Sequence, residues 1–150
     1  MSIDAPNRKL LSALRRDARA KYAELGKTVN LSAPAVFERV KKLEGSGVIQ
    51  RYTVELDPTA LGLPFCAFVQ IATTGYCPCD KLAATLAAYP EVEECHSIAG
   101  ENSVLVKVRT VSPQALDQLL GKMRRISGVG RTLTTVVLQT HFERGVQPPA

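Results

Sequence analysis

Residues 31–47 read LSAPAVFERVKKLEGSG, and the reading of this stretch governs what lies on either side of it. Ser32 is a strong N-cap for a helix beginning at Ala33, and Pro34 falls in the first turn, where its missing N–H has no intrahelical partner anyway. Val36, Val40 and Leu43 recur at i, i+4 and i+7 and are expected to face a core, with Phe37 beside them. The opposite stripe is Ala35, Glu38, Arg39 and Lys42, led by the small residues Ser32 and Ala33. Small residues at a helix N-terminus let the backbone come close to phosphates, which its unpaired N–H groups bind well. Arg39 and Lys42 are long enough to reach base edges or phosphates. Ser32, Ala33, Ala35, Glu38, Arg39 and Lys42 are therefore the expected DNA-binding face.

Two shorter helical patterns precede this one. The first runs from about Ala5 to Arg16, with Leu10, Leu11 and Leu14 on one side, Asp4 placed to cap it and Pro6 in its first turn. The second fits Lys21 to Val29, with Tyr22, Leu25 and Val29 inward and Gly26 permitting a neighbour to approach closely. Asn30, Leu31 and Ser32 then form a tight turn, so the second and third helices make a helix-turn-helix. A three-helix bundle with a merely solvated basic face fits the same pattern. Charge is distributed in favour of DNA: residues 1–51 hold eleven basic and five acidic side chains, net +6, while residues 52–150 hold eight and nine, net −1.

Beyond Gly45, Ser46 and Gly47, residues Val48 to Leu56 alternate well enough to predict a strand leaving the helical part. Breaks at Asp57-Pro58 and Gly62-Leu63-Pro64 follow. The pattern continues as a strand from Phe65 to about Thr73 and a helix from Asp80 to Ala88. Strands from Val92 to Ala99 and Ser103 to Arg109 come next, then a helix capped by Ser112 and a last strand from about Gly130 to Gln139. The order βαββαβ is that of the ferredoxin-like split βαβ arrangement, an antiparallel sheet with both helices on one face. The predicted class is α+β, with a helix-turn-helix domain at 1–51, a linker strand and hinge at 52–64, and a ferredoxin-like domain at 65–150. The uncovered sheet face needs a cover, and a second copy of the chain is the economical one.

With 150 residues, 45% hydrophobic and 22% charged, the composition is that of a globular protein. No apolar stretch reaches the roughly 20 residues of a membrane helix, and the start MSIDAPNRK lacks a signal-peptide pattern, so no membrane association is predicted and a cytoplasmic location is. Cys66, Cys77, Cys79 and Cys95 have no disulfide spacing, and Cys77-Pro78-Cys79 is neither a redox nor a zinc motif. Cys95 and His96 are adjacent on a strand and point to opposite faces, which disfavours joint metal ligation. With His96 and His141 the only histidines, no catalytic triad, paired carboxylates or phosphate-cradling loop is legible, so neither an enzyme nor a cofactor is predicted.

The residues quoted so far carry a resemblance. Asn7-Arg8-Lys9-Leu10-Leu11, Asp17-Ala18-Arg19, Leu31-Ser32, Glu38 to Glu44 and Gly47 to Tyr52 follow in order, then Val92-Glu93-Glu94-Cys95-His96 and Gly100. In order and spacing the chain resembles the Lrp/AsnC family, the leucine-responsive and asparagine-synthesis, or feast/famine, transcription regulators, over nearly its whole length. The resemblance implies a winged helix-turn-helix joined by a strand to a βαββαβ effector domain, which dimerises through its sheet and often assembles to an octamer. It implies an effector, usually an amino acid, held at contacts between dimers by Ser97, Gly100, Glu101, Asn102 and Ser103 and by Thr134, Thr135 and Val136 of a neighbour's last strand. Many members carry aspartate where this chain has Ser103, a group suited to an effector's ammonium. The asparagine-regulator branch is similar to this chain in carrying serine there, and without the charge recognition falls to carbonyls, Glu101 or Asn102. The partners implied are double-stranded DNA, a small effector and further copies of the chain. An architectural DNA-binding protein without an effector is the alternative.

Overall fold

The structure, a computed structural model, describes residues 3–74 and 78–149. The chain forms two compact units, Met1–Glu55 together with Glu143–Ala150, and Leu56–Phe142. The C-terminal tail thus belongs to the helical unit, and the chain passes between the units twice.

In the first unit, helix α1 spans Ala5–Arg16, α2 Tyr22–Val29 and α3 Ala33–Gly45. Asp4 caps α1 by accepting from the Asn7 N–H at 2.9 Å, which satisfies one of the donors a helix start leaves unpaired. Ser32 caps α3 in the same way through the Ala35 N–H. Between α2 and α3, Asn30 adopts a left-handed conformation with φ of 55°, and the Asn30 and Leu31 N–H groups both donate to the Gly26 carbonyl. Gly26 is required: a Cβ there would fall inside the van der Waals shell of the Leu31 carbonyl oxygen. Leu10, Leu14, Leu25, Val36 and Val40 close the core of this unit, with Ala13, Val29, Leu31 and Ile49 packed against it.

Three expectations change here. Phe37 is not in the core but 45% exposed, because Val36, Val40 and Leu43 already fill the inward stripe and leave it on the rim. Tyr22, expected inward, is also exposed and meets Phe37 edge-on, with ring centroids 5.9 Å apart. Residues 48–56 enter no strand ladder among the described residues; Tyr52, Val54 and Leu56 stand exposed along them at alternate positions.

In the second unit, β1 is Phe65–Thr73, α4 Cys79–Leu86, β2 Val92–Ser97, β3 Val104–Thr110, α5 Pro113–Met123 and β4 Val129–Val136. The sheet order is β2-β3-β1-β4 with every neighbouring pair antiparallel, the split βαβ topology predicted. Ala67, Val69 and Ile71 of β1 and Val104, Val106 and Val108 of β3 alternate toward Leu82 and Leu86 of α4 and Leu116, Leu119 and Met123 of α5, forming one buried cluster. The residues between them face the other way. Phe68 lies opposite Lys107 on β3 and Thr135 on β4, and Gln70 opposite Leu105 and Leu133, so this second face mixes apolar and charged groups. Lys107 and Arg109, each less than a tenth exposed, are held there by ion pairs with Glu93, and Lys107 also with Glu94. Such nearly dehydrated cations persist only when paired.

Candidate functional site

The N-terminal site is assembled on α3. Ser32, Glu38 and Lys42 are exposed, while Ala33, Ala35 and Arg39 are half-buried. Arg39 does not project freely: its Nη1 donates to Asp4 Oδ2 at 2.7 Å and to Asn7 Oδ1 at 3.0 Å, tying the middle of α3 to the cap of α1. The Arg39 guanidinium, by its hydrogen bond, and the Asn7 N–H hold the Asp4 carboxyl below the usual carboxylate range. Lys41, absent from the sequence-derived face, is exposed with its Nζ 5.9 Å from the Phe37 ring centroid. Helical spacing counted outward from Val36 could have placed Phe37 on the rim.

The second constellation is the turn between β2 and β3. Gly100 adopts φ of 148°, a conformation that side chains rarely accept. The Ser103 N–H donates to the Ile71 carbonyl at 3.0 Å and the Ser103 hydroxyl lies 3.2 Å from that of Thr73, which docks the turn against the end of β1. Asn102 is only 6% exposed; its Nδ2 donates to Gln70 Oε1 at 2.8 Å, while its Oδ1 is buried with no partner. Glu101 extends into solvent, its carboxylate 4.0 Å from Arg131 Nη2. Ser97 stands at the end of β2 opposite Val104.

Within one chain Ser97 and Gly100 to Ser103 come together, but Thr134, Thr135 and Val136 do not join them. Those three pair with Val69, Phe68 and Ala67, farther along β1 than the Ile71–Thr73 end that holds the turn. Sequence reading missed Gln70 and Thr73 as supports of the turn. Outward parity on β1 was the available signal for Gln70, because its partner arrives from a distant loop.

Cys95 packs toward the core and His96 lies on the opposite face, where its Nε2 is 3.1 Å from Glu94 Oε2. That hydrogen bond is the main cause holding the Glu94 carboxyl below its usual range. Among the described residues no group of three or more His, Cys, Asp or Glu is placed to hold a metal ion, and no helix is long and apolar enough to cross a membrane. The motif reading of Cys77 falls outside the described residues.

A helix-turn-helix followed by a separate α+β unit with a polar turn is the organisation of a transcription regulator that carries its own ligand-binding domain. Residues 3–44 match the AsnC-type helix-turn-helix domain and residues 66–147 the Lrp/AsnC ligand binding domain. The chain is 35% identical over 143 residues to the HTH-type transcriptional regulator FL11 of Pyrococcus horikoshii, covering 94% of this chain and 93% of that one. It is 38% identical over 141 residues to the HTH-type transcriptional regulator LrpA of Mycobacterium tuberculosis, again covering 94% and 93%. Among solved structures, E. coli AsnC superposes with a TM-score of 0.92 at 31% identity over 99% of this chain and all of that one. A feast or famine regulatory protein from M. tuberculosis complexed with L-methionine gives the same TM-score at 38% identity and the same coverage. The chain belongs to the Lrp/AsnC family of transcription regulators.

Proposed function

We propose that the chain is a homodimeric DNA-binding regulator, assembling further to an octamer, whose assembly and DNA affinity respond to an amino acid. It works in the cytoplasm, without a cofactor or catalytic step. The DNA face is Ser32, Ala33, Ala35, Glu38, Arg39 and Lys42, with the capped start of α3 meeting phosphates through its backbone N–H groups. Two features support a dimer. The segment carrying Tyr52, Val54 and Leu56 has no strand partner among the described residues, and the second sheet face exposes Phe68 and Leu133. An apolar, unpaired strand is the kind of edge a second copy covers.

The effector site combines Ser97, Gly100, Glu101, Asn102 and Ser103 of one chain with Thr134, Thr135 and Val136 of a neighbour. The observation that carries it is the orphaned Oδ1 of Asn102. A buried polar atom without a partner costs about 1–3 kcal/mol, which a donor arriving with an effector recovers. If the amides of Asn102 and Gln70 are both turned over, the orphan becomes an N–H that seeks a carboxylate. Either way Asn102 offers one polar atom to the main-chain groups of an amino acid, and the relative complexed with L-methionine accords with that chemistry. An effector at a subunit junction alters DNA affinity only by binding one assembly better than another; coupling of about 1–3 kcal/mol gives a 5–150-fold effect.

Thermal-shift measurements with each of the twenty amino acids, followed by light scattering on those that act, test this reading. At least one amino acid is expected to raise the melting temperature and change particle size, and Asn102→Leu to abolish both responses while leaving DNA affinity intact. A flat response to all twenty would instead support the effector-free architectural reading.

A further inference from the structure

The exposed face of α3 is centred elsewhere than on the stripe its sequence spacing nominated. Val36, Val40 and Leu43 are fully buried, and Arg39 on their flank is engaged by Asp4 and Asn7. Turning away from that core, Pro34, Phe37, Glu38, Lys41 and Lys42 are exposed, and the first four fall at i, i+3, i+4 and i+7. A homeodomain's third helix presents its base-reading positions at the same spacing.

Phe37 is the residue in this stripe that needs an account. A phenyl ring 45% exposed on a helix that carries Lys41 and Lys42 gains nothing from water, and the core beneath it is complete without it. It is nonetheless held in place. Tyr22 packs edge-on against it at an interplanar angle of 64°, and the Lys41 ammonium lies 5.9 Å from its centroid. An apolar side chain held rigid beside cations suits the one apolar feature of the major groove, the thymine 5-methyl group, with the neighbouring cations on phosphates.

We propose that Phe37 contacts a thymine 5-methyl group in the major groove, as a specificity-determining residue of the stripe Pro34, Phe37, Glu38 and Lys41. Tyr22 acts as a positioning residue that sets the ring's direction. This rests on the DNA-binding reading above and adds the base it selects. Glu38 is shared by both stripes, so the reading face extends around α3 from Lys42 toward Phe37.

The test works on the DNA as well as on the protein. Duplexes bound by the full chain are selected from a randomised pool, and each thymine of the selected site is replaced in turn by deoxyuridine, which deletes only the methyl. At one thymine or more the parent is expected to lose about fourfold in affinity, the worth of one buried methyl group. Phe37→Ala, weaker from the outset, is expected to show no loss at that thymine, and Phe37→Leu to retain part of it. A parent indifferent to every replacement overturns the proposal without needing any variant to fold. So does a Phe37→Ala variant that senses the same methyl as strongly as the parent, or one that changes particle size in light scattering with the methyl response intact, which would place Phe37 in a protein interface. If the parent selects no duplex, the DNA-binding reading falls and this one falls with it. A well-defined site in which no methyl matters removes Phe37 alone.

Discussion

Tyr52 shows how a single side chain responds to its surroundings in this protein. Its phenol donates to Glu44 Oε1 at 2.8 Å, and partial burial, followed by that hydrogen bond, pushes its pKa up to about 12. The folded state therefore favours the neutral phenol, and the associated stability is complete below the ordinary tyrosine pKa of about 10 and is lost as pH climbs through the raised value. An ultraviolet titration of the parent, differenced against Tyr52→Phe, should show one tyrosine ionising near pH 12 and Glu44→Gln moving it part of the way down. A Tyr52 that ionises at the ordinary value would mean the hydrogen bond to Glu44 is not made in solution. Arg39 teaches a related lesson: a long cation nominated to meet DNA is also the clamp between α3 and the cap of α1. Its replacement thus affects the geometry of the reading helix as well as any contact with DNA.

At the scale of elements, the angle between α2 and α3 depends on one missing Cβ. The Gly26 carbonyl takes the N–H groups of Asn30 and Leu31, and the Leu31 carbonyl packs back onto the Gly26 Cα. Because the obstacle is backbone rather than a flexible side chain, Gly26→Ala should destabilise the helical unit by about 1–3 kcal/mol. It should also weaken DNA binding, since α3 is displaced. Chemical denaturation followed by helical circular dichroism reads the first effect, and an unchanged midpoint would show that the turn relaxes at no cost. The helix caps and strand alternation behave more simply: Asp4, Ser32 and Ser112 each accept the N–H three residues on, as their side-chain chemistry leads one to expect.

For the molecule as a whole, each unit has its own core, and neither uses the second sheet face. That face places Phe68, Leu105 and Leu133 beside cations already neutralised by Glu93 and Glu94, which makes it able to meet a copy of itself without burying an unpaired charge. Phe68→Asp should yield a monomer in light scattering with the unit's fold intact, because the ring lies outside the core of Ala67, Val69 and Ile71. A variant of unchanged particle size would remove this face from the proposed dimer. Most of the architecture was legible in the sequence. The three helices, the caps of α1 and α3 and the βαββαβ order all follow from local sequence, which depends only on neighbours along the chain. What the tertiary structure decided concerns competition for space and partners. Phe37 and Tyr22 were displaced to the rim because other side chains fill the core, and Arg39 was captured by the carboxylate that caps another helix. Residues 48–56 meet no second strand among the described residues, and Asn102 is hydrogen-bonded to Gln70, a residue 32 positions away. Periodicity records which way a residue faces, whereas only the folded chain settles what it meets there.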